Sequence, residues 1–180
     1  NRINQSLENI NFSINNCLEI GFSSKIIYKY ILSRFNKVNY SAIDISNKIL
    51  EKDLEIKQLI CIDHDKWQID KKKFDLIISN FYLHLSNNLD LLFQNIKQSL
   101  NQNGFFIAAL PGINCFHEIK NSMIKADIEM YGGAYRRFME LFSVDQITNI
   151  LKKYGYSIPV IEVDTLELRY KKFSSLLNDI

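Results

Sequence analysis

The sequence has little of what divides, staples or buries a chain in a bilayer. It holds two prolines, six glycines and three cysteines in 180 residues, where average usage is about 5% proline and 7% glycine. No linker, low-complexity segment or internal repeat interrupts it, so residues 1–180 are read as one globular domain with a sizeable single core. Cys17, Cys61 and Cys115 are odd in number and far apart, without ligand spacing. That pattern excludes a disulfide scaffold and predicts free thiols in a reducing cytosol, hence a cytoplasmic protein. Charge of one sign is also missing. Twenty-two basic residues face twenty acidic ones for a net +2, and no basic stripe gathers, so no nucleic-acid partner is expected. The densest cluster, Lys71 to Lys73, reads as a solvated turn. No apolar run approaches the roughly eighteen residues that span a bilayer, and no signal-like segment opens the chain, so no membrane insertion is expected. The first residue is Asn1 rather than Met, which leaves a targeting segment upstream open.

What is present is an alternation. Apolar runs of strand character, "NCLEI", "NYSAID", "LICID", "FDLIIS" and "GFFIAAL", take turns with segments of helical period, the usual sign of βαβ units and a mainly parallel, doubly wound sheet. The first helix is predicted to start at a Ser23 or Ser24 cap and to show Ile26, Ile27, Tyr30, Ile31 and Phe35 on one face. A short helix "NKILEKDL" should follow the second strand. Helix "LDLLFQNIKQSL" should end at "NQNG", with Gly104 turning the chain into strand five. A further helix runs from about Phe116 to Met130 into the breakers Gly132 and Gly133. Ser143 caps a last one, with Ile147, Ile150 and Leu151 on one face and Gly155 ending it. "SIPVIEVDTLELRY" reads as an antiparallel C-terminal hairpin.

In such sheets ligands lie beyond the carboxyl ends of the strands. Strands one, two and three end in Glu19, Asp44 and Asp63. A nucleoside cofactor asks for acids at these places: one after strand two accepts from both ribose hydroxyls, one after strand three accepts from an adenine amino group. Asp44 also stands near the roughly 20-residue offset beyond Gly21 at which a ribose acid is expected. Other chemistry finds less support. "CIDHD" alternates its side chains between faces and makes no metal cage. Ser79 lacks the glycine-flanked elbow of a hydrolase nucleophile. His117 with Glu118 reads as helix surface.

"CLEIGFSSK", "AIDIS", "CIDHD", "KFDLIISNFYLHLSNNLDLLFQNIKQSLNQNGFFIAAL" and "YGYSIPVIEVDTLELRY" resemble, in order, the motifs of class I S-adenosylmethionine-dependent methyltransferases, over most of the chain from about Asn16. Within that superfamily the chain is most similar to the branch of BioC-type malonyl-carrier-protein methyltransferases and the methyltransferase-like assembly factor of mitochondrial complex I. "FDLIISNFYLHL", "PGINCFHEIK" and "YGGAYRRF" resemble the assembly-factor branch in particular, which is associated with arginine hydroxylation and not with methyl transfer. The resemblance implies a Rossmann-like fold and S-adenosylmethionine as cofactor. It implies that Glu19 contacts the methionyl amino group and that Gly21 admits the backbone approach. Asp44 and Ile45 would serve the ribose side, Asp63 and His64 would border the adenine, and Ser79 would line the methionyl site. His84 matches the family's histidine after strand four, as a general base or a substrate-positioning group, against a plain hydrogen-bonding role.

One departure stands out. The family's first loop runs acid-x-Gly-x-Gly-x-Gly, and this chain has Ser23 and Lys25 at the second and third glycines. Side chains there restrict positive φ and fill space, and Lys25 brings a cation toward a sulfonium. The resemblance therefore implies two functions. One is methyl transfer to a small-molecule or protein-bound acceptor. The other is an assembly factor or protein hydroxylase for a respiratory complex. Residues 115–142 break the alternation and are read as a lid, with Tyr131, Tyr135, Arg136 and Arg137 meeting substrate or partner; the alternative is an ordinary surface helix and loop.

Overall fold

A computed structural model of the chain describes residues 2–8, 10–22, 25–46, 48, 56, 58–63, 66, 73–139 and 141–179. Its centre is a five-stranded sheet with strand order β3-β2-β1-β4-β5. The strands are β1 (Asn16–Ile20), β2 (Asn39–Asp44), β3 (Gln58–Cys61), β4 (Phe74–Asn80) and β5 (Leu100–Ala109). Every pairing among them is parallel. The order reverses between β1 and β4, which makes that pair the topological switch point.

Both faces of the sheet are buried, which explains strands that read as continuous apolar runs. On one face Cys17, Tyr40, Ala42, Leu76 and Ile78 meet helices α1 (Arg2–Glu8) and α2 (Lys25–Arg34). α2 buries Ile27 and Ile31 four residues apart, and Phe35 extends that line. Ile26, expected on the same face, is 62% exposed. α1 adds Ile3 and Leu7 to this core. On the other face Leu18, Ile20, Ile43 and Ile77 pack against Leu92, Phe93 and Ile96 of α3 (Leu89–Ser99) and Leu151 of helix 144–153. The expected Ser23 or Ser24 cap and the helix "NKILEKDL" lie outside the described residues, apart from Lys48.

Two expectations are corrected. Gly104 makes no turn: α3 runs straight into β5, which begins at Leu100. Phe74 pairs with Leu100 and Leu76 with Phe105, so two residues of β4 are spanned by five of β5. The extra residues are absorbed in an irregularity, where a side chain at Gly104 would fall 2.8 Å from the Phe74 carbonyl oxygen. The C-terminal hairpin is not formed either. Residues 157–170 carry no strand, and Ile158, Val160, Val163 and Leu166 are all exposed. Their alternation supplies the right pattern, but no strand among the described residues pairs with them.

Two of the remaining helices follow the expected pattern, and the last is unexpected. α4 (His117–Tyr131) stops at Gly132, which takes φ 72°. α5 (Val144–Lys153) opens with a reciprocal box in which Ser143 and Gln146 satisfy each other's backbone amides. α6 (Phe173–Asp179) closes the described chain.

A candidate cofactor site at the strand ends

The carboxyl ends of β1, β2 and β4 converge on one spot. Parallel register sets Ile20 beside Ile43 on one side and Ser79 on the other. The Gly21 amide donates to the Ile43 carbonyl at 2.9 Å, and the Ser79 hydroxyl donates to the Ile20 carbonyl at 2.8 Å. Gly21 then turns away with φ 81°, a conformation that costs glycine nothing.

Two carboxyl groups are buried here. Asp44 is 3% exposed, and its Oδ1 accepts the Ser46 amide at 2.8 Å, closing the turn after β2. Glu19 is fully buried. The Tyr40 hydroxyl donates to its Oε2, while its Oε1 finds no partner among the described residues. Register explains the pair. Cys17 stands beside Tyr40 and Glu19 beside Ala42, so Glu19 and Tyr40 are diagonal neighbours on one face. Burial pushes the Glu19 carboxyl up to about 8, against the opposing pull of the Tyr40 hydrogen bond, and the nearby Asp44 charge pushes the same way. Burial likewise raises the Tyr40 and Cys17 groups, so both stay neutral.

Asp63 stands two residues past the end of β3, half-buried, 3.7 Å from Lys66. His64 lies outside the described residues. Ile45 is exposed beside the site. His84 sits in the single turn Leu83–Leu85 after β4. Its Nδ1 is buried without a partner among the described residues, and burial lowers its pKa, which keeps the imidazole neutral.

The structure brings Glu19, Gly21, Asp44, Ile45 and Ser79 together and keeps Tyr131, Tyr135, Arg136 and Arg137 in a second group at and beyond the end of α4. There the Arg137 guanidinium donates from Nε and Nη2 to Asp127, at 2.6 Å for the shortest contact, and the Tyr135 amide donates to the same carboxylate at 3.1 Å. Asp127 is buried, and Arg137 holds its carboxyl below the usual range. Arg137 is thus engaged within the segment, and the Tyr131 and Tyr135 rings stand edge to face at 5.5 Å. Beside them Lys120, Met123, Ile124, Arg136 and Phe138 line a cleft of about 180 Å³. Arg137→Ala is expected to leave the buried carboxylate uncompensated and to speed amide exchange from Asp127 to Phe138, with the sheet unchanged. Hydrogen exchange read by mass spectrometry checks this, and uniform protection would show that the pair does not hold the segment.

Three residues at these places carry no local sequence signal. Asp127 and Tyr40 matter only through their partners. Tyr82 is the third. Its ring packs over Gly21, where a Cβ would overlap it, and its hydroxyl accepts the Ile45 amide at 3.2 Å.

A parallel, doubly wound sheet with acids buried at the ends of its central strands defines the Rossmann-like class of cofactor-binding domains. The chain belongs to the methyltransferase-domain family, whose model matches residues 2–159, within the class I S-adenosylmethionine-dependent superfamily. It is 29% identical, over 92% of its length, to the mitochondrial arginine-hydroxylase NDUFAF5 of Dictyostelium discoideum, of which it covers 42%. It is 22% identical, over 98% of its length, to a malonyl-[acyl-carrier protein] O-methyltransferase of Legionella pneumophila, of which it covers 62%. The chain thus spans about half the length of these curated relatives. An S-adenosylmethionine dependent methyltransferase from Mesorhizobium loti superposes with a TM-score of 0.66 at 16% identity, over 89% of this chain and 82% of that one. No helix of the described residues is long and apolar enough to cross a membrane.

Proposed function

We propose that this chain binds S-adenosylmethionine beyond the ends of β1, β2 and β4 and transfers its methyl group to a small-molecule or protein-bound acceptor. One observation carries the reading: in a chain of the methyltransferase family, two buried carboxyl groups flank a positive-φ glycine beside the sheet's switch point. The residues suit the cofactor. Asp44 keeps lone pairs for ribose hydroxyls beyond its bond to Ser46. Ile45 stands on the ribose side and Asp63 borders the adenine. Glu19 has a buried oxygen still to be partnered, which suits a methionyl ammonium. Gly21 and Ser79 form the floor. When bound, the cofactor supplies an electrophilic methyl carbon on a sulfonium. The protein's part is alignment, with neutral His84 as the group available to take a proton from the acceptor or to position it. Residues 115–142 are proposed to face that acceptor through Tyr131, Tyr135 and Arg136, with Arg137 setting their framework.

A second reading is an assembly factor or protein hydroxylase for a respiratory complex. It is supported by the likeness to NDUFAF5 over most of the chain, and by the glycine positions that hold Ser23 and Lys25. In this reading the compartment is the mitochondrial one that the relative's name gives instead of the cytoplasm. Calorimetric titration with S-adenosylmethionine and S-adenosylhomocysteine is expected to give saturable binding and a rise in melting temperature. The absence of both at millimolar ligand would refute cofactor binding. A mass gain of one methyl or of one oxygen on the acceptor separates the two readings.

A further inference from the structure

We infer that Tyr82 is a gate over the proposed cofactor crevice, one that closes it in the structure described and must swing away before ligand can approach Gly21. The inference rests on the cofactor reading above and goes beyond it. β4 stays in the sheet through the Phe81 amide, which donates to the Ala109 carbonyl at 2.9 Å. Phe81 then takes φ 51°, a left-handed conformation that a bulky side chain rarely adopts. That reversal throws Tyr82 back across the sheet. Its ring covers Gly21 at the end of β1, in the space left by the missing Cβ. Its hydroxyl reaches the Ile45 amide just past the end of β2, and the residue is only 8% exposed. One side chain from just past β4 therefore bars the interval between the glycine that would meet the methionyl part and the acid that would meet the ribose.

The arrangement suits a reversible closure. A neutral hydrogen bond latches the tyrosine to the residue that follows β2, and the left-handed Phe81 next to it is relieved when the chain moves to an extended conformation. Apparent affinity for ligand is then the intrinsic affinity reduced by the open fraction.

The test uses S-adenosylhomocysteine, with dissociation constants from calorimetry and association rates from surface plasmon resonance on the immobilised chain. Tyr82→Ala is expected to bind about tenfold tighter or more and to associate faster, because the closed state is gone. Tyr82→Phe keeps the ring and its packing. It is expected to associate about fivefold faster, the ratio that one neutral hydrogen bond supports. Without ligand, the Ile45 amide should exchange faster in Tyr82→Phe than in wild type. If Tyr82→Ala fails to fold, Tyr82→Phe decides alone by its rate and by Ile45 exchange. Equal constants and rates in wild type and variants overturn the gate and leave the cofactor reading standing. Weaker binding by Tyr82→Ala also overturns it, making the ring a wall of the site. No binding by any folded version overturns gate and cofactor reading together.

Discussion

Above about pH 8, Glu19→Gln is expected to melt at a higher temperature than the wild type, with the difference vanishing as the pH falls to the ordinary glutamate value of 4.5. Glu19 is fully buried at the end of β1, and that burial dominates its environment. A carboxyl whose folded pKa lies above its unfolded one keeps its proton in the folded state between the two values. Its stabilising contribution is complete below 4.5 and is lost as the pH rises through about 8. Glutamine still accepts from the Tyr40 hydroxyl and has no proton to lose. At about 1.4 kcal/mol per pH unit, the gap amounts to a few kcal/mol at most. His84, whose lowered pKa acts in the opposite direction, is common to both proteins and cancels in the comparison. Thermal melts of the two proteins across this pH range provide the check. Parallel curves would mean that Glu19 does not titrate in this window.

The second large effect falls on Asp44. Asp44→Ala is expected to weaken S-adenosylhomocysteine binding by about 1.5–3 kcal/mol, the usual value for hydrogen bonds to a charged group, which is roughly ten- to 150-fold. The structure adds a stability cost, because the Asp44 carboxylate also holds the Ser46 amide. Asp44→Asn separates the two roles: its amide oxygen can keep the turn while the charge at the ribose position is gone. Binding that falls in both variants, with stability lost only in alanine, assigns Asp44 to the ligand. Calorimetry paired with thermal melts reads both quantities, and unchanged affinity in alanine would make Asp44 purely a turn residue.

The sheet was legible because its strands are buried on both faces, so burial wrote itself into the sequence as short apolar runs. α5 was legible for a different reason. Ser143, Gln146 and Gly155 mark its two ends through local backbone chemistry. The failures concern partners. Residues 157–170 carry strand-like alternation, yet a strand exists only where a neighbour supplies hydrogen bonds. Gly104 looks like a turn residue, but the register of β4 against β5 places it in an irregularity inside the ladder. At the site, Glu19, Asp44 and Asp63 could be named from strand ends, and Gly21 and Ser79 only through the resemblance to the family. Tyr40 and Tyr82 could not, since one acts through β1–β2 register and the other through the left-handed turn at Phe81.

The switch-point pairing of β1 with β4 also bears on the order in which the chain can assemble. Cys17 lies opposite Leu76, and Asp75 binds the Asn15 and Asn16 amides at the foot of the same pair. These contacts close a long loop, so its entropy is lost before the central strands repay it. During synthesis Glu19, Gly21 and Asp44 emerge well before Phe74. A nascent chain that stops short of β4 holds both acids and the glycine without Ser79, the floor beneath them or the tyrosine above. The proposed crevice is therefore a late product of folding, completed only when the middle of the sheet zips shut.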